Sequence, residues 1–331
     1  MRMSTAMRRP AAMRPSKSRP WLVLMTVVVS ACVSPRPTLD PTGPIDTTVQ
    51  IGLAEGGNIV TLPLERYVTG SVLAEADFRG LDPGSARRVA AVQSILARTY
   101  ALANLGRHEH EGFQLCATTH CQVYRPVEQF PEALTALVVE SVRATAGLVM
   151  SHNGRPINAV FHADCGGGTS DASVPWGGSV PPYLRGIADP FCIRDDPTPW
   201  RFEAERSAVI LALAADDRTS VGSEIAEIQV TEQDPAGRAV QVRLLGIDGQ
   251  SVTVRGETFR SALVARFGVR SIKSTRFSIV DAGDHFVVEG RGFGHGVGLC
   301  QRGAAARAQD RHSPEDILTH YYPGALLTRY H

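Results

Sequence analysis

Apolar side chains recur along this chain with two periods. Over residues 85–105, Val89, Val92, Leu96, Tyr100 and Ala103 form one stripe at helical spacing, and Ala91, Ile95, Leu102 and Leu105 fill the opposite side. A helix apolar all round is buried, so the pattern predicts a core helix. Arg98 inside it then requires a partner, because an unpaired charge in a core is very unfavourable. A second helix is predicted from Pro131, with Leu134, Leu137, Val138 and Val142 on one face and a stop at Gly147. Residues 148–151, a turn at Asn153 and Gly154, and residues 156–163 predict a hairpin. Residues 204–215 predict a short helix. Between 224 and 290 the period shortens to two, in strands around Ile228, Val240, Val252 and Phe277, with a helical turn or two at 258–267. Ser313, Pro314 and the acids after them read as a cap, a first-turn proline and a capping box. The sum is an α+β fold: one compact domain over residues 48–331, with mixed helices, antiparallel sheet and a β-rich insertion in its C-terminal half.

The first 47 residues follow a different pattern. Arg2, Arg8, Arg9, Arg14, Lys17 and Arg19 precede an apolar run from Trp21 to Val29, too short to span a bilayer as a helix. Ser30, Ala31 and Cys32 close it with small residues, as in a cleavable export signal. The segment resembles a bacterial lipobox, which makes residues 1–31 a lipoprotein signal peptide and Cys32 the lipidated first residue. The proline-rich stretch over 32–47 then forms an extended tether. An exported protein, lipid-anchored to a membrane and facing the periplasm or cell wall, is expected. The whole chain has 34 basic and 33 acidic side chains. Removing residues 1–31, with six basic and no acidic residues, leaves an acidic excess that argues against nucleic acid as a partner.

Five further cysteines stand at 116, 121, 165, 192 and 300. In an oxidising compartment two disulfides and one free thiol are expected. Cys116 with Cys121 is the easiest local pair, and Cys165 with Cys192 is another. The same segment also permits zinc, held by His110, Cys116, His120 and Cys121. A His–Cys nucleophilic pair is conceivable from His162 or His295 with Cys165 or Cys300. Gly-x-Ser-x-Gly and His-Glu-x-x-His are both missing from the sequence, which excludes the standard serine-hydrolase and zincin arrangements. Glu75, beside an apolar run, is a candidate for a desolvated general acid; Glu65 and Asp77 are its rivals.

Glycines at 290, 292, 294, 296 and 298 alternate around His295 and precede Gln301. Strand interiors avoid glycine, so this backbone bends sharply or lies against something else. The spacing is not that of a phosphate-binding loop.

These segments, in this order, resemble the SpoIID/LytB family of cell-wall proteins. The matching stretches are Leu64 to Glu75, Ala91 to Tyr100, Thr118 to Tyr124, Phe161 to Thr169, Lys273 to Phe277, the glycine stretch, and Tyr321 to Gly324. They cover nearly all of residues 48–331. The resemblance implies a lytic transglycosylase acting on peptidoglycan glycan strands, preferentially those stripped of stem peptides. Alternatively, it implies a non-catalytic glycan-binding protein that enhances a cell-wall amidase. It implies Glu75 as the catalytic acid and base, and Arg98, Gln122, Tyr124, His162, His295 and Gln301 as residues lining a glycan groove, with the glycines as one wall. Arg98 is expected to bind something other than Glu75. No cofactor is required on this reading, although some relatives hold zinc near the Thr-His-Cys segment. Cys165 and Cys300 stand where serine is common in the family.

Overall fold

The computed structural model describes residues 47–53, 57–194 and 199–330. The signal peptide, Cys32 and nearly all of the tether lie outside the described residues. Strand β1 (Thr48–Gly52) pairs antiparallel with β2 (Ile59–Pro63), which runs straight into helix α1 (Leu64–Glu75). Asp82 caps the next helix, α2 (Pro83–Ala103), by accepting from the amides of Gly84 and Ser85, and Pro83 supplies a first turn that needs no donor. Strand β3 (Leu115–Cys116) joins β1 in parallel. Helix α3 (Glu132–Ala144) follows; Pro131 is its N-cap.

Helix α2 is buried on two sides, as its all-round apolar pattern predicts. Ala90, Ala97, Tyr100 and Ala101 pack with α1, α3 and β1 in one core. Val92, Ile95 and Leu96 face a second core. That second core includes β4 (Leu148–His152), which pairs with β5 (Arg155–Pro156) through the turn at Asn153 and Gly154, where both residues have positive φ. The predicted second hairpin strand is shorter than expected. Pairing ends after Ile157, whose amide still reaches the Met150 carbonyl, and the chain then leaves for β6 (Phe161–His162). A single helical turn, α4 (Ser173–Trp176), comes next.

The insertion has a core of its own. It contains β7 (Trp200–Glu205), α5 (Arg206–Ala214), β8 (Ile225–Gln233), β9 (Ala239–Gly246), β10 (Ser251–Arg255), α6 (Gly256–Phe267), β11 (Phe277–Asp281) and β12 (His285–Gly290). These form two antiparallel three-stranded sheets, in the orders β10-β9-β8 and β11-β12-β7. The start predicted for the helix at 204 is displaced because Ala204 and Glu205 still pair with Phe286 and His285. Strand β13 (Leu299–Cys300) returns the chain to the first body, parallel to β6, and leads directly into α7 (Gln301–Gln309). Ser313 and Asp316 form the capping box of α8 (Pro314–Tyr321), and β14 (Leu326–Arg329) closes against β4. No helix among the described residues is long and apolar enough to cross a membrane.

Candidate functional site

Glu75 is the last residue of α1, which ends because Ala76 turns to an extended conformation (φ −85°, ψ 138°). The inner face of the helix is packed, so Glu75 sits half-buried at the edge of the core. Its Oε1 accepts a 2.7 Å hydrogen bond from the amide of Val123. That peptide is held on either side. The Tyr67 hydroxyl donates to Gln122 Oε1 at 3.1 Å, and the Tyr67 ring stacks on Tyr124 with centroids 5.8 Å apart. Gly70 makes this approach possible: a Cβ there would lie 2.4 Å from the Tyr124 ring. Gln122 and Tyr124 are thus buried and support the Glu75 partner from behind, instead of lining an open groove.

Burial raises the Glu75 pKa, and the Val123 amide opposes that only in part. Its two rivals are committed elsewhere. Glu65 makes a bidentate ion pair with Arg98, both contacts at 2.7 Å. Arg98 is fully buried and also donates to the Leu148 carbonyl at 3.0 Å, so it is a structural cation bound away from Glu75. Asp77 is clamped by Arg79, whose hydrogen bonds hold its carboxyl below the ordinary value.

Gln301 opens α7 and donates from Nε2 to the Glu75 carbonyl at 3.1 Å. Beyond it, starting at Ala76, lies a cavity of about 300 Å³ whose wall includes Asp77, Gln93, Asp164, Gln301 and Arg302. Gln93 is buried with its Nε2 lacking a hydrogen bond among the described residues. A glutamine on an apolar helix face could have flagged it in the sequence. A larger cavity of about 540 Å³ lies between the 167–171 turn and residues 232–236, but none of Glu75, Gln301, His162 or His295 borders it. The smaller one is the better candidate because its wall includes Ala76, next in the chain to Glu75, and Gln301, which holds the Glu75 carbonyl.

His162 and His295 lie together, ring centroids 5.4 Å apart. His295 Nε2 donates to the Phe161 carbonyl at 2.9 Å, and its Nδ1 accepts from the Val297 amide at 3.1 Å. Both nitrogens are therefore occupied by backbone, and burial, aided by Arg238, lowers its pKa to about 4. His162 is buried and held at Nδ1 by the Val297 carbonyl; burial also drives its pKa well down. His162 Nε2 is buried and has no hydrogen bond among the described residues, while His295 offers its ring face, on which the half-exposed Trp176 packs at 5.1 Å.

The alternating glycines serve the protein's own packing. A Cβ at Gly296 would lie 2.2 Å from the Arg238 guanidinium, and one at Gly298 would lie 2.1 Å from the Val160 carbonyl. Both residues also have positive φ. The expectation that the missing side chains leave room for a glycan is corrected: buried Arg238 and the backbone just before β6 fill that room.

The cysteines are also arranged differently from expectation. All five described cysteines are free, so the predicted disulfide between Cys116 and Cys121 is absent. Instead Cys116, His120, Cys121 and His108 converge, with all donor atoms within 4.8 Å of one another. His108 takes the place predicted for His110. A 3₁₀ turn at Glu109–Glu111 carries His110 outward, where its side chain is exposed and contacts Glu111. His108 Nδ1 contacts Glu111 Oε1 at 2.6 Å, which directs Nε2 toward Cys121 Sγ at 3.3 Å. Two sulfurs, two imidazole nitrogens and a carboxylate behind one histidine suit structural zinc. These residues would hold the ion and fix the bend at Cys121, two residues ahead of Val123.

A mixed α+β body with a desolvated glutamate at a helix end, and a β-rich insertion with its own core, is the class of protein this geometry defines. Residues 55–152 match the family model described as Stage II sporulation protein (SpoIID), and residues 198–298 match a domain of unknown function, DUF8618, which coincides with the insertion. Over 289 residues the chain is 27% identical to Stage II sporulation protein D of Bacillus subtilis, covering 82% of this chain and 76% of that protein. It is 29% identical over 275 residues to an uncharacterized protein of Brachyspira hyodysenteriae, covering 81% and 67%. It is 26% identical over 283 residues to the Amidase enhancer of Bacillus subtilis, but spans only 37% of that protein. The chain thus carries a SpoIID match over residues 55–152 and is similar along most of its length to proteins named Stage II sporulation protein D and Amidase enhancer.

Proposed function

We propose that this protein is a peptidoglycan lytic transglycosylase with Glu75 as its single acid and base. A cell-wall role is supported by the family and by the relative named Amidase enhancer. The observation that carries the finer reading is the sorting of three neighbouring acids: Glu65 is paired with Arg98, Asp77 is clamped by Arg79, and of the three only Glu75 has a raised pKa, next to the cavity residues Ala76 and Gln301. Asp164, on the wall of that cavity, is also raised, to about 6, but is paired with Arg302. Hydrolytic glycosidases usually need two carboxylates, one of them to activate water or attack the sugar. Forming an anhydro ring needs only one.

In the proposed reaction, neutral Glu75 protonates the oxygen bridging N-acetylmuramic acid to N-acetylglucosamine as the C1–O bond breaks. The resulting carboxylate takes the proton from the muramic C6 hydroxyl, whose oxygen bonds to C1 and closes the 1,6-anhydro ring. No water is consumed, and Glu75 ends protonated again. The Val123 amide fixes one carboxyl oxygen throughout. The exposed face of Trp176 offers a flat surface on which a sugar ring can stack. Peptide-stripped strands are the proposed substrate, delivered by an amidase, with the protein exported and held to a membrane through lipidated Cys32.

Digesting purified peptide-stripped strands and analysing the products by mass spectrometry tests this reading. Anhydromuramic ends from the wild type and their loss in Glu75→Gln are expected. Strand binding without any product would support the second reading, a glycan-binding enhancer of an amidase, which the Amidase enhancer relative favours.

A further inference from the structure

We propose that Cys165, Cys192, Cys300 and Asp189 form a second zinc site, wholly buried and separate from the His108 cluster. The inference does not depend on the proposed reaction. All four residues are buried, and their donor atoms lie within 4.8 Å of one another. They come from distant parts of the chain: the residue group after β6, a 3₁₀ turn at Pro190–Ile193 with Asp189 before it, and the end of β13. Cys192 Sγ and Cys300 Sγ are 3.5 Å apart, and Cys165 Sγ is 3.5 Å from Asp189 Oδ2. Zinc–sulfur bonds of about 2.3 Å in a tetrahedron put sulfurs about 3.8 Å apart, so this spacing suits one ion. An iron–sulfur cluster would spread its ligands around several metal and sulfide atoms.

The surroundings point the same way. Backbone amides of Cys165 and Gly303 donate to Cys300 Sγ at 3.2 and 3.4 Å, and that of Gly167 donates to Cys165 Sγ at 3.4 Å. Such donors orient and stabilise metal-bound thiolates. Asp189 is fully buried; its Oδ2 accepts from the Tyr321 hydroxyl at 2.7 Å, while Oδ1 has no hydrogen bond among the described residues. A Cβ on Gly303 would lie 2.1 Å from Asp189 Oδ2, so glycine there makes room for the carboxylate. Three thiolates and a carboxylate around a divalent ion leave two negative charges. Two buried guanidiniums answer them: Arg307, 3.7 Å from Asp189 Oδ1, and Arg238, which donates to the Cys165 carbonyl at 3.3 Å. The site would pin the start of α7, whose first residue, Gln301, holds the Glu75 carbonyl.

The test is elemental analysis of the exported chain purified without chelator, in the variant Cys116→Ser/Cys121→Ser that dismantles the first cluster. We expect about one equivalent of zinc to remain. Replacing it by cobalt should give thiolate-to-metal charge-transfer absorption, and further substitution Cys192→Ser should remove both. A folded variant lacking stoichiometric metal overturns the proposal. A second measurement needs no variant: wild type is unfolded with chelator and alkylated without reductant, and its cysteines are mapped by mass spectrometry. Alkylation of Cys165, Cys192 and Cys300 as free thiols is expected; a disulfide between any two of them overturns the site.

Discussion

The carboxylate of Glu75 accepts a 2.7 Å hydrogen bond from the amide of Val123, 48 residues later in the chain. This contact ties the end of α1 to the segment that follows the thiol cluster. It also leaves the carboxyl short of the donors that would normally compensate its burial. Because burial raises its folded pKa, the folded state binds a proton that the unfolded chain has already released. The group therefore weakens the fold above its raised pKa and is neutral in effect below its ordinary value of 4.5. Glu75→Gln keeps the Val123 acceptor and removes the charge. We predict equal stability of the two proteins at pH 4, and a higher Tm for the variant at pH 8, measured by thermal unfolding.

Arg98 is fully buried against Glu65, whose side chain is 26% exposed. Removing one partner strands a charge in the core. Glu65→Ala should lower stability by about 3 kcal/mol in urea unfolding. The pair Glu65→Leu/Arg98→Met should recover much of that loss, because no charge is then left unpaired.

Gly296 and Gly249 both have positive φ, +79° and +84°, but only Gly296 has a neighbour where a Cβ would go. Gly249→Ala should cost about 1 kcal/mol from backbone strain alone. Gly296→Ala must also displace the Arg238 guanidinium and should cost at least about 3 kcal/mol. Comparable losses in denaturant melts would mean that the packing account of the glycine stretch is wrong.

Buried His162 and half-buried His295 make acid sensitivity a property of the fold. A base with a lowered folded pKa contributes stability that is fully present above its unfolded value of 6.5 and is lost as pH falls through that value toward the folded one. For His295 the window runs from 6.5 down to about 4, worth up to about 3 kcal/mol. His295→Asn should flatten the stability profile over that range, whatever it costs at pH 7. An unchanged slope would contradict the neutral assignment.

The sequence carried the architecture through signals that act locally. The two apolar faces of α2 predicted its burial, Ser313 and Pro314 marked the start of α8, and alternation marked the strands of the insertion. The site was harder because its determinants are contacts between distant segments. Spacing alone could not tell whether the alternating glycines faced a ligand or Arg238, whose burial has no local signature. His108 and His110 are equally good ligands on paper, and the 3₁₀ turn that points one inward and the other outward decides between them. Gln122 and Tyr124 were legible as important but not as inward-facing, since their direction depends on Tyr67. The three buried cysteines lie in separate segments and meet only through β6, β13 and the turn at Pro190–Ile193.

The central claim is that one carboxyl group carries the chemistry, and the products of peptide-stripped glycan strands test it most directly. Wild type should release strands ending in 1,6-anhydromuramic acid, without incorporating oxygen from labelled water. Glu75→Gln, still folded and still binding strands, should lose on the order of 10²–10⁴-fold in rate. Hydrolytic ends carrying labelled oxygen, or undiminished activity in Glu75→Gln, would contradict the account.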